Sequence, residues 1–119
     1  MSTTAIAATK GYRRKVALAA ANGTAIPRIS HLAFGTGNRA YSVDDTALQT
    51  EFLRLPATVS VDDVQLLATA TLPGDQVGVR VLREVGAFAS DGTLVGRRVI
   101  APKEFEPETE MDFELTFQY

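Results

Sequence analysis

The stretch Phe34-Gly35-Thr36-Gly37-Asn38 has the residue types of a phosphate cradle, where a strand ends in glycines that let the backbone approach a nucleotide. A P-loop spaces its glycines Gly-x-x-x-x-Gly-Lys and follows them with Ser or Thr, because the lysine neutralises phosphate and the hydroxyl reaches magnesium. The sequence from Gly35 through Arg39 and Ala40 has neither the lysine nor the spacing. A dinucleotide fingerprint requires a third glycine and a following helix, and Tyr41 onward shows no helical pattern. The reading favoured here is that the glycines turn the chain through positive φ angles.

His31 is the single histidine, next to Ser30. A catalytic triad needs a placed carboxylate as well, and neighbours in a strand point to opposite faces. Asp44-Asp45 and Asp62-Asp63 are adjacent pairs, not the alternating oxygen ligands of a calcium loop, so caps and turns account for them. Glu84, in Val81-Leu82-Arg83-Glu84-Val85, is either a buried carboxylate with a shifted pKa or a strand carboxylate paired across the sheet with Arg80 or Arg97. The second is preferred. Nucleophile, base and orienting group do not come together in the sequence, so no catalytic, cofactor or metal site is expected. The alternative these residues leave open is a small-ligand or carbohydrate-binding module, or a hydrolase, using His31 and the Gly35 to Asn38 loop.

Two charged features invite partners. Arg13, Arg14 and Lys15 form a basic run, and Glu110, Asp112 and Glu114 share one parity near the end of the chain. The opposite parity there holds Met111, Phe113, Leu115 and Phe117, the alternation of a strand with one apolar face. Each run is either a solvated face or a docking surface, and the sharper expectation is that acidic and basic faces meet between subunits.

The elements that must position these residues follow from composition and pattern. The 119 residues suit a single domain, 1–119, with residues 1–8 flexible. Hydrophobic residues make up 45% and charged residues 22%, the balance of a globular chain, and the net charge of −2 argues against a nucleic-acid partner. No apolar run approaches the roughly 20 residues of a membrane span, and residues 1–10 do not read as a secretory signal. With no cysteine, disulfides and thiolate metal sites are excluded. Thr9 as N-cap, the Ala- and Arg-rich run after it and Asn22-Gly23 predict a helix over 9–21, with Tyr12, Val16, Ala19 and Ala20 on one stripe. Residues 28–34 read as a strand, 46–51 as one or two helical turns, and 59–72 as a hairpin turning at Asp62-Asp63. A strand over 79–89, the Asp91-Gly92 turn and a strand over 94–100 follow. The last strand begins near Thr109. The expected fold is α+β: an N-terminal helix packed on a mainly antiparallel β-sheet or small β-sandwich of five or six strands.

In this order the pieces resemble the N-terminal domain of phage tail-collar fibre proteins, the tail-fibre family of contractile-tailed phages and R-type pyocins. The resemblance rests on the Thr9, Gly11, Ala17, Ala19, Ala20, Asn22 and Gly23 pattern of the helix and on Phe34-Gly35-Thr36-Gly37-Asn38. It also rests on Arg83-Glu84-Val85-Gly86-Ala87-Phe88 and on the closing amphipathic strand. It departs after Val95-Gly96, where the chain reads Arg97-Arg98-Val99-Ile100. The resemblance implies a structural virion protein without enzymatic activity, a fibre-attachment or adaptor component linking the baseplate to tail fibres in host attachment. It implies a homotrimer or a mixed trimer with a longer fibre chain, a place in the virion tail after assembly in the host cytoplasm, and no membrane partner. It adds the loop residues Asn38, Arg39 and Tyr41 as interface candidates to those the charge pattern singles out, Arg13, Arg14, Lys15, Glu110, Asp112 and Glu114.

Overall fold

The structure, a computed structural model, describes residues 5–119. Helix α1 (Lys10–Asn22) is opened by Thr9, whose hydroxyl accepts from the Tyr12 N–H at 3.2 Å, and closed by Gly23 at φ 68°. Tyr12 and Ala19 are buried and Val16 is half-buried, whereas Ala20, expected on the same stripe, is exposed.

Seven strands follow: β1 (Ile29–Gly35), β2 (Glu51–Pro56), β3 (Thr58–Asp62), β4 (Gln65–Pro73), β5 (Leu82–Ala89), β6 (Leu94–Lys103) and β7 (Glu110–Gln118). They form two antiparallel sheets, ordered β2-β1-β5-β6 and β3-β4-β7. The α+β expectation holds, with the sheets packed face to face. The core is supplied by Leu32, Phe34, Val85 and Val95 of one sheet and by Ala68, Leu72, Leu115 and Phe117 of the other. Phe34 meets Phe113 across the layers edge to face, with ring centroids 5.4 Å apart.

The N-terminal segment closes one side of this sandwich. Ile6 N–H donates to Thr116 O of β7 at 2.8 Å, and Thr9 N–H donates to Val95 O of β6 at 2.8 Å. Residues 6–9 therefore strap an edge of one sheet to an edge of the other. Of the lead expected to be flexible, residues 1–4 lie outside the described residues, and Ile6 to Thr9 are hydrogen-bonded in place. Thr9 also donates its hydroxyl to Leu94 O at 2.5 Å while 1% exposed. Thr9→Val, which keeps the volume and removes the cap and this bond, is expected to lower unfolding free energy by about 1–3 kcal/mol in urea titration.

Two boundaries and the strand count depart most from the sequence expectation. Residues 46–50 form no helical turn and Glu51 already belongs to β2, because Leu48 is buried beside Ala33, Phe88 and Leu94 and the next two N–H groups are drawn to Glu84. Strand β5 begins at Leu82 and not at residue 79: Gly78 at φ 65° ends the short helix α2 (Gly74–Val77), and Val79 is fully exposed. The count is seven strands instead of five or six, since Glu51–Pro56, not read as a strand, pairs with β1 as the edge strand β2 before the chain enters the second sheet at Thr58. The hairpin turns fall where expected, with Asp63 at φ 55° and Gly92 at φ 89°.

Candidate functional site

The connection between β1 and β2, residues 36–50, has no regular structure of its own, and long irregular loops are commonly functional or disordered. This one is tied down by a single buried ion pair. Glu84 of β5 and Arg97 of β6 have fully buried side chains, and Arg97 Nε donates to Glu84 Oε1 at 2.7 Å. Glu84 Oε2 also accepts from the N–H groups of Gly37 and Thr50, both at 2.8 Å, and Oε1 accepts from Gln49 N–H at 2.9 Å. One carboxylate thus gathers both ends of the loop.

This geometry explains Gly35 and Gly37. A Cβ on Gly35 would lie 2.4 Å from Glu84 Oε2, and one on Gly37 would lie 2.6 Å from it. Positive φ is not the reason: among the described residues the glycines at positive φ are Gly23, Gly78 and Gly92. The expectation that these glycines turn the chain is corrected accordingly. They admit a carboxylate, and the ligand of the Gly-Thr-Gly-Asn backbone is the protein's own Glu84.

The network continues outward. Arg97 Nη1 donates to Arg39 O at 2.6 Å and lies 3.7 Å from Asp45 Oδ2. Asp45 accepts from Arg39 Nη1 at 2.9 Å and from Ser42 N–H at 3.1 Å. Tyr41 donates its hydroxyl to Ala7 O at 2.6 Å, and Lys10 N–H donates to Val43 O at 2.7 Å, so the loop also rests on the strap and the first turn of α1. Burial by itself would raise the Glu84 carboxyl; the Arg97 guanidinium and the N–H groups of Thr50, Gln49 and Gly37 outweigh it and hold the group below the usual carboxylate range. At Asp45 burial again pushes upward and is overcome, first by the bond from Arg39. The Tyr41 phenol is raised by burial and by Asp45, against the opposing charge of Arg13.

Of the interface candidates, Asn38, Arg39 and Tyr41 stand on this mounted loop, with Arg13 close enough to act on Tyr41. Asn38 is exposed, while Arg39 and Tyr41 are partly committed to Asp45 and Ala7. Arg13 and Arg14 are exposed on α1. Lys15 is engaged within the chain, donating to Asp91 Oδ2 and Thr93 Oγ1, both at 2.6 Å, and the hydrogen bond it gives Asp91, followed by those from Thr93, brings the Asp91 carboxyl down to about 2. Glu110, Asp112 and Glu114 lie exposed on the outer face of β7, opposite Pro73, Thr71 and Thr69. Asp112 accepts from the Thr71 hydroxyl at 2.5 Å. A depression of about 460 Å³ opens there, lined by Thr58, Thr69, Thr71, Asp112 and Glu114 among others. No ion pair joins these carboxylates to Arg13, Arg14 or Lys15 among the described residues.

His31 and the 35–38 loop are not brought together. They share strand β1, where Gly35 is four residues on, about 13 Å at 3.3 Å per residue. A bulge between Ile29 and His31 overturns the expectation that Ser30 and His31 point apart: Ser30 Oγ lies 2.8 Å from His31 Nδ1. No carboxylate is hydrogen-bonded to that ring among the described residues, and no cluster of His, Asp and Glu there has the makings of a metal site.

The sequence reading of Glu84 as a cross-strand partner of Arg80 or Arg97 is met by Arg97, while Arg80 lies over the Phe52 ring; the reading set aside, a buried carboxylate with a shifted pKa, holds as well. The roles of Gln49, Thr50 and the Arg39 carbonyl were not readable, because backbone donors and acceptors carry no sequence signature. Comparison of the chain with protein-family models, with curated proteins and with solved structures returned no match.

Proposed function

We propose that this protein is a structural, non-enzymatic component of a phage tail, an attachment or adaptor domain that joins the baseplate to tail fibres. It is taken to work in the virion after assembly in the host cytoplasm, in trimers of itself or with a longer fibre chain. The observation that carries the reading is the loop of residues 36–50, held at both ends by the buried Glu84–Arg97 pair. A loop fixed in this way presents Asn38, Arg39 and the adjoining Arg13 without the ordering cost that a floppy loop incurs on binding. The resemblance to tail-fibre N-terminal domains supplies the kind of partner.

The exposed carboxylates of β7 offer a second contact, suited to a basic surface on the partner. Such pairing sets orientation and encounter rate more than affinity and weakens with salt. Reversing Glu110, Asp112 and Glu114 to lysine is expected to leave the melting temperature within a few degrees of wild type. Co-purification with baseplate and fibre proteins of the parent particle at low salt should fall at least about tenfold, as loss of even ~1.4 kcal/mol of complementarity would do. Undiminished incorporation of the triple variant into particles would remove the acidic face from the proposal. Absence of the protein from purified tails would remove the tail reading itself.

A further inference from the structure

Four strands lie at sheet edges, β2 and β6 in one sheet and β3 and β7 in the other. Proteins guard such edges with charge, proline or covering segments, because unpaired N–H and C=O groups invite another strand. Strand β2 carries the Glu51–Arg54 ion pair at 2.8 Å and ends at Pro56. Strand β6 is bonded by Thr9 and contains Arg97, Arg98 and Pro102. Strand β7 is bonded by Ile6 and lined with carboxylates. Strand β3 reads Thr-Val-Ser-Val-Asp, is exposed along its whole length, and holds neither proline nor a basic residue. Val59 and Val61 fall on the parity of Ala68 and Leu66, the apolar face, yet are 37% and 71% exposed.

We infer that β3 is where a second copy of this chain docks, by antiparallel strand addition about a two-fold axis through Ser60. The sequence of β3 is complementary to itself in that register. Val59 stands opposite the partner's Val61, on one face, and Thr58 opposite the partner's Asp62 on the other. Asp63, one step beyond, falls opposite the partner's Ala57. Ala57 N–H is bonded to Ser30 O at 2.9 Å, which places that corner two residues from Arg28, exposed and without an ion pair among the described residues. Acidic hairpin tip therefore meets basic corner, twice over, in an isologous contact. The same pairing at β7 would set Glu114, Asp112 and Glu110 against one another, which disfavours that edge. This inference does not rest on the tail reading. Where protomers are already gathered by another contact, it joins one such unit to the next.

The chain has no cysteine, so a single introduced thiol reports cleanly. Directly opposed residues of antiparallel strands are about 4.5–5.5 Å apart at Cα, within the span a disulfide bridges. Under mild oxidation Ser60→Cys should become a linked dimer at least several-fold faster than Ala101→Cys, an exposed control on β6. In light scattering across a dilution series, Thr58→Glu, which sets a second carboxylate against the partner's Asp62, should halve the largest mass reached by wild type. Thr58→Lys should keep that mass. Circular dichroism and melting confirm that each variant is folded. Equal linking rates for Ser60→Cys and Ala101→Cys, or a mass indifferent to Thr58→Glu, including a wild type that stays monomeric throughout, would overturn the proposal.

Discussion

Replacing Glu84 with glutamine is expected to cost about 3–5 kcal/mol of unfolding free energy, the usual penalty for leaving one member of a buried ion pair alone. The Arg97 side chain is fully buried, and its Nη2 has no hydrogen-bond partner among the described residues. Glutamine retains one acceptor oxygen for a site that asks for four bonds, from Gly37, Gln49, Thr50 and Arg97. Adding Arg97→Met should restore at least ~1 kcal/mol, because the stranded charge is then gone, so the double variant should be less damaged than the two single losses added together. The substitution should also change the response to acid. The Glu84 carboxyl is held below its ordinary value, so its contribution is present above about pH 4.5 and is lost as pH falls through the lowered pKa. Wild-type stability should fall with acid more steeply than that of Glu84→Gln, by up to about 1.4 kcal/mol per pH unit for this one proton. Parallel acid limbs in urea titrations would contradict this.

Phe117→Ala is expected to cost about 3–5 kcal/mol as well, through a cavity and not through charge. Phe117 is 1% exposed, and it joins three pieces: β7, the Ile6 bridge of the strap, and Gly96 of β6. A Cβ on Gly96 would come within 2.5 Å of its ring, so the aromatic edge lies directly on the β6 backbone. Gly96→Ala alone should destabilise by crowding, typically about 1–3 kcal/mol, yet in the Phe117→Ala background it should be neutral or helpful because the methyl enters the vacated space. Additive effects of the two substitutions would mean that Phe117 and Gly96 do not meet in solution.

The sheet architecture was legible because strand alternation and turn residues are local properties. Met111 to Phe117 alternate by parity, Asp63 and Gly92 sit at positive φ in their turns, and Thr9 and Gly23 bracket α1 as caps should. Thr116 breaks the parity rule: it lies on the charged side of β7 and is buried, beside the Ile6 bridge. That burial, like the strap itself, depends on a contact between residues far apart in sequence, which no local pattern encodes. The same limit applied at the site. In the sequence Gly35 and Gly37 read as residues that turn the chain through positive φ; that they instead leave room for the Glu84 carboxylate depended on where β5 would lie. Residues 46–50 carried helix-favouring types and were overruled by the burial of Leu48 and the pull of Glu84 on Gln49 and Thr50.

Amide hydrogen exchange at Gly37, Gln49 and Thr50 tests most directly whether the 36–50 loop is a preformed surface mounted on Glu84. If it is, these three amides should exchange as slowly as those in the middle of β1 and β5, opening only with global unfolding. In Glu84→Gln they should speed up by orders of magnitude more than those strands do. Exchange of the three amides in the wild-type protein at rates typical of an open surface loop, unchanged by Glu84→Gln, would contradict the account.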